Sequence, residues 1–178
     1  MSSNSDSPGV YYDTEKRKIS LAGDFDERNT KEIIWALQEM EAIEKRDPID
    51  IYITSNGGEA ECFLSIYDVI QNLKCKVNTI ALGKAYSAGA YLLLSGTGDR
   101  IAYKNTFIML HELSSGIEGR LTDMRITQGF YDRLQRTLNK IVSEHTDQPL
   151  SKVEEDLKRD MWMNAEEAKK YGIIDKII

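Results

Sequence analysis

The sequence predicts a single α/β domain built around parallel strands. Short β-like runs alternate with helix-like runs, and a parallel crossover needs an intervening helix. At 178 residues, with 41% hydrophobic and 29% charged residues, the chain has enough material for one domain with a substantial core. It shows no repeat, low-complexity core or internal linker that would divide it.

The elements follow in order. Lys18 to Gly23 predicts a short strand. Asn29 or Thr30 can cap a helix with Ile33, Leu37 and Met40 on one face, stopped by Asp47-Pro48. Ile49, Ile51 and Ile53 alternate with Asp50, Tyr52 and Thr54, the pattern of a strand. A turn at Ser55-Asn56-Gly57-Gly58 leads into a helix with Phe63, Ile66 and Ile70 on one side. Val77 to Leu82 predicts the next strand and Ser87 to Leu94 the next helix. Ile101 to Tyr103 and Phe107 to Leu110 lie close together, which suggests a hairpin or a second small sheet. A long helix is expected from about Leu121 to Glu144, with an apolar stripe of Leu134, Leu138, Ile141 and Val142. The last helix has Asn164 and Glu167 at N-cap and N3 spacing and Gly172 after its end. Residues 173–178 predict a final strand.

Composition narrows the function classes. The net charge of −6 offers no general attraction to nucleic acid or an anionic membrane. No apolar run approaches membrane-spanning length. Residues 1–9 are polar and small, with neither the basic start nor the apolar stretch of a secretory signal, and predict a flexible tail. Cys62 and Cys75 have no metal-ligand spacing and read as reduced thiols. A cytoplasmic location is the expectation. There is no Walker A loop, dinucleotide fingerprint or metal-binding histidine pair.

Three side chains carry candidate chemistry. Ser87 stands where a strand gives way to a helix start, and free amides at a helix start favour an oxyanion. Ala85, Ala88, Gly89 and Ala90 around it permit close approach, although small residues also pack helices on sheets. His111 closes a β-like run and could take the serine proton. The rival histidine, His145, lies near the end of the long helix, where it can interact with terminal carbonyls. Asp160, beside Met161 and Trp162, is a candidate third member, with Asp156 and Asp175 as rivals. Gly57-Gly58 suits either a turn with positive φ or backbone N–H groups presented to an oxyanion.

Together, these segments resemble the ClpP family of self-compartmentalising serine peptidases. The resemblance runs from about Leu21 to Ile178. It rests on Ile51 to Gly58, Ser65-Ile66-Tyr67-Asp68, Ala85 to Ala90, Met109-Leu110-His111, Glu144 to Leu150, Arg159-Asp160 and Ala165 to Asp175. It implies a ClpP/crotonase-like fold, a spiral of βαβ units with a protruding long handle helix. It further implies residues 1–17 as a flexible N-terminal tail and short axial segment, and 18–178 as the peptidase domain.

The resemblance assigns Ser87 as nucleophile, His111 as base and Asp160 as third member, with the N–H groups of Gly58 and Ala88 as oxyanion hole. It implies a serine endopeptidase acting on unfolded polypeptides inside a homo-oligomer of stacked heptameric rings. The long helix and a strand region from His111 to Leu121 would join the rings. An AAA+ unfoldase would be the partner; ATP would belong to it, and this chain would bind no cofactor. No nucleic-acid or membrane partner is implied.

The chain departs from the family pattern at several points. Ser55-Asn56-Gly57-Gly58 replaces the usual Ser-Pro-Gly-Gly, Ala88 replaces the frequent Met, and His111-Glu112-Leu113 replaces His-Gln-Pro. Lys158 replaces an acidic residue before Arg159-Asp160, and the stretch before the first strand is short. Two alternatives therefore stand beside the endopeptidase: a silent or assembly-dependent scaffold subunit of a mixed ring, and a capsid-maturation-type peptidase. An acyl-CoA enzyme on the crotonase fold is a more distant reading, disfavoured by the serine-histidine pair.

Overall fold

The computed structural model describes residues 9–178, so all but the last residue of the predicted tail at residues 1–9 lies outside the described residues. The described elements are β1 (Val10–Asp13), β2 (Lys18–Leu21), α1 (Glu27–Ile43), β3 (Ile49–Ser55), α2 (Ala60–Asn72), β4 (Val77–Tyr86) and α3 (Ala88–Leu94). They continue with β5 (Arg100–Ala102), β6 (Phe107–Leu110), α4 (Leu121–Thr146), α5 (Leu150–Asp156), β7 (Met161–Asn164), α6 (Ala165–Tyr171) and β8 (Lys176–Ile177).

Strand–helix alternation yields the parallel sheet it predicts. β2, β3, β4, β5 and β8 pair in parallel in that order, and β1 adds antiparallel to β2 at the edge. In β3, Ile49, Ile51, Ile53 and Ser55 are buried, while Asp50, Tyr52 and Thr54 are only half-buried. α1 covers the sheet with Ile33, Ala36, Leu37 and Met40, and α2 with Phe63, Ile66 and Ile70. α3 is buried throughout. Its Leu92, Leu93 and Leu94 have no exposed surface, and such burial contributes about 2 kcal/mol per side chain.

β4 decides where the site falls. Its first half pairs with β5 through Thr79, Ile80 and Ala81. Its second half pairs instead with β6, through Lys84, Ala85 and Tyr86. Gly83 stands at the fork with a φ of 71°. Its N–H donates to Thr106 Oγ1 at 3.1 Å, and that hydroxyl donates to the Ala81 carbonyl. Ile101–Tyr103 and Phe107–Leu110 therefore form no hairpin with each other. β5 and β6 lie one after the other along one long strand, and β6 also takes β7 antiparallel.

Other expectations need correction. The N-cap of α1 is Asp26, whose carboxylate accepts the Asn29 N–H at 2.7 Å. Asn29 and Thr30 sit inside the helix. The strand predicted to stop at Leu82 runs on to Tyr86, because β6 supplies it with a second partner. The final strand shrinks to Lys176–Ile177, the residues that reach β5. Residues 111–120 contain no strand, since no strand of this chain offers them an edge. α6 forms as expected: Asn164 and Glu167 make a reciprocal capping box, and Gly172 ends the helix at a φ of 99°.

α4 is two helices in its packing. Leu134, Leu138, Ile141 and Val142 bury on the domain, whereas Leu121, Ile126 and Phe130 are exposed on the first half, which therefore projects.

Candidate active site

Ser87 is held in a strained backbone, with φ 51° and ψ −122°. A non-glycine residue in such a region costs about 1–3 kcal/mol and persists only where its surroundings enforce it. Here they do. The Ser87 N–H donates to the Met109 carbonyl of β6 at 2.8 Å, and the Ser87 carbonyl accepts from the N–H groups of Ala90 and Tyr91. The forked end of β4 and the start of α3 thus pin the residue from both sides, leaving the side chain free to project.

Gly57 and Gly58 bring a second loop against it. Their φ values are 111° and 144°, so the turn requires glycine twice. A Cβ on Gly57 would lie 2.6 Å from the Ser87 Cβ, and one on Gly58 would lie 2.3 Å from the Phe25 carbonyl oxygen. Phe25 bridges this loop: its N–H donates to Gly57 O and its carbonyl accepts from Glu59 N, both at 2.8 Å. That pattern spares the Gly58 N–H. Neither it nor the Ala88 N–H, at the first position of α3, has an acceptor among the described residues. Asn56, which stands where the family pattern has Pro, accepts from Lys84 Nζ at 2.7 Å.

His111 Nε2 lies 2.9 Å from Ser87 Oγ, the distance of a hydrogen bond. β6 carries His111 there by running beside the end of β4. The segment beyond it is tied down by Glu112 N donating to Leu157 O at 2.8 Å and by Leu113 N donating to Gln135 Oε1 at 2.6 Å. Asp160 is placed differently. It is exposed, and no hydrogen bond joins it to His111. Both border a cavity of about 710 Å³, together with Lys158 and Arg159. Lys158 pairs with Glu155 at 2.5 Å. The structure thus brings Ser87, His111 and the two amides together and leaves Asp160 at the edge.

A match to the Clp protease family model covers residues 10–178. The chain belongs to the Clp protease family. Its general class is therefore that of a ClpP-type peptidase. Among the described residues, no helix is long and apolar enough to cross a membrane.

His145, the rival histidine, lies outside the site. Its ring bonds Tyr67 Oη at 3.1 Å rather than helix-terminal carbonyls. Burial lowers its pKa, and the nearby Arg100 cation adds to the effect. Asp156 accepts from Tyr171 Oη at 2.8 Å, and Asp175 pairs with Arg100 at 2.6 Å, so both rivals of Asp160 are engaged elsewhere.

A groove of about 760 Å³ runs past Ser87 and His111, walled by residues of α2, α3 and α4. The sequence reading overlooked most of that wall. Phe63 was visible only as a core residue, and nothing local to Tyr91, Leu134 or Leu138 distinguishes a groove from a core.

Proposed function

We propose that the chain is a serine endopeptidase that cleaves unfolded polypeptides through an acyl-enzyme, using Ser87, His111 and Asp160. The observation that carries this is the 2.9 Å approach of His111 Nε2 to Ser87 Oγ, on a strained residue flanked by unpaired amides. His111 takes the hydroxyl proton as Ser87 Oγ attacks the scissile carbonyl carbon. The oxygen that gains charge is met by the Gly58 and Ala88 N–H groups. Collapse of the tetrahedral species breaks the C–N bond, and His111 returns the proton to the leaving amine. Water then repeats the sequence to release the acid and restore Ser87. No bound cofactor enters these steps.

Asp160 would orient His111 and stabilise its cation. This requires the segment after α5 to move, since Asp160 stands apart in the isolated chain. That separation favours an assembly-dependent form of the reading. In it, stacked heptameric rings of this chain order residues 111–120 and the Asp160 segment, and an AAA+ unfoldase feeds substrate.

Fluorophosphonate labelling and fluorogenic peptide cleavage, measured beside Ser87→Ala and with the native oligomer mass, test the reading. The expected result is labelling and cleavage in the assembled wild type and neither in the variant. Equal cleavage by both proteins would sink it. Cleavage confined to the ring-sized species supports the assembly requirement.

A further inference from the structure

Among its described lining residues, the groove beside Ser87 has the carboxylates of Glu59, Glu61 and Glu112 and no Lys or Arg to answer them. Glu59 and Glu61 sit at the start of α2, where an acid also suits the helix dipole. That benefit does not account for the whole arrangement. Glu59 makes no side-chain capping bond, and its carboxylate meets only the weak Cys62 thiol, at 3.5 Å. The Glu61 carboxylate has no hydrogen-bond partner among the described residues. Glu112 is different, because Lys158 lies close enough to offset its charge. The acids do not gather into a group that could hold a metal ion.

The rest of the groove is apolar and aromatic. Phe63 and Tyr91 pack with ring centroids 5.4 Å apart, with Leu134 and Leu138 beside them. Tyr91 is 3% exposed, and its hydroxyl is buried with no hydrogen-bond partner. An apolar wall with an unanswered hydroxyl and carboxylates at the rim fits a long side chain with an aliphatic stem and a cationic head. The stem lies along the apolar wall and the head reaches the exposed carboxylates.

We propose that this groove selects lysine or arginine as the residue whose carbonyl Ser87 attacks, with Glu59 and Glu61 as specificity-determining side chains. The proposal rests on the peptidase reading above. The reason for that position is geometric. A carbonyl oxygen held by Gly58 and Ala88 places its own residue next to Glu59, which directly follows Gly58 in the chain.

The test uses the full-length native protein and peptide aminocoumarins that differ only in lysine or norleucine at that position. Norleucine keeps the stem and removes the charge. The expected kcat/KM ratio favours lysine by roughly tenfold, the scale of one charge-assisted contact. Glu59→Gln with Glu61→Gln should bring the ratio toward one, and high salt should narrow it in the wild type. Circular dichroism confirms that the variants fold, and each single variant should give part of the effect. A ratio of one or below in the wild type, or a ratio unmoved by the substitutions, overturns the proposal. Binding of the same two peptides to Ser87→Ala separates this failure from that of the peptidase reading. Preferential lysine binding supports the groove assignment even if wild type neither labels nor cleaves. Equal binding overturns it.

Discussion

The Ser87 elbow and the Asp160 flank are built by opposite means. At the elbow, backbone decides everything: the fork of β4, two glycines with positive φ, and hydrogen bonds from β6 and α3 converge on one strained serine. At the flank, the acid hangs on a short segment between α5 and β7, exposed and unattached to His111. A site whose strained part is built in and whose last acid is free separates having the nucleophile from using it. The strain is supported within one chain, whereas the position of the acid can be set by what binds around it.

Asp160→Asn tests whether the flank matters at all, and carries the largest expected effect. In the assembled protein, turnover should fall by up to about 10⁴-fold, the loss known when the aspartate of such a triad becomes an amide. The oligomer mass should stay unchanged. Wild-type turnover in this variant would mean that Ser87 and His111 act as a dyad and that the comparison has no functional content.

Gly58→Ala attacks the elbow instead. The added Cβ would press on the Phe25 backbone, 2.3 Å from its carbonyl oxygen, so the loop must move and carry the Gly58 N–H with it. Turnover should drop by about 10²–10³-fold, the scale of one lost oxyanion donor. Far-UV circular dichroism checks that the domain persists. If peptide turnover stayed at the wild-type level, the Gly58 amide would not be an oxyanion donor.

These two regions were also unequally legible. Gly57-Gly58, Ser87 and the Asn164–Glu167 box could be read because the sequence signal of each lies among near neighbours, although β6 and Gly57 hold Ser87 in place from afar. The fork of β4 could not, because Gly83 takes its partner from Thr106, beyond both α3 and β5. β1 and β7 were missed for a related reason: four residues each, they are strands only because β2 and β6 offer them an edge. The alternating fold class, by contrast, follows from apolar periodicity alone. Asp160 could be singled out only through the family pattern, and nothing local to it reveals its distance from His111.

Arg100 ties the ends of α4 and α6 to the sheet without touching the elbow. Its guanidinium pairs with Asp175 and donates to the carbonyls of His145 and Gly172, partners 45 to 75 residues away. Arg100→Met leaves those acceptors half-buried and unanswered. The expected loss is about 3 kcal/mol, or about 6–12 °C in Tm for a domain of this size. Fluorophosphonate labelling at Ser87 at a permissive temperature should survive if the elbow is independent. Asn164→Ala is a milder version of the same test, since it removes one cap at the β7–α6 junction. It should cost about 1 kcal/mol, or about 2–4 °C in thermal melts.

The smallest effect concerns acid. Burial first, then the Arg100 cation, disfavours the charged His145 ring, so its folded pKa lies below the ordinary value of 6.5. Between the folded value and 6.5, the unfolded chain binds the proton more readily, so stability falls as pH drops through that interval. Asp175 acts in the same direction at lower pH. Burial tends to raise its carboxyl, but the bonds from Arg100 outweigh this and hold it below 3.8. Its stabilising effect is present above that value and fades as pH falls through the lowered one. His145→Gln should therefore flatten the upper part of the acid limb in denaturant titrations across pH and leave the lower part to Asp175. His145 belongs to α4 and its partner Tyr67 to α2, and both helices wall the groove beside Ser87, so the elbow can feel this titration through either. Labelling of Ser87 that tracks the His145 limb would show that the elbow is coupled to the end of α4.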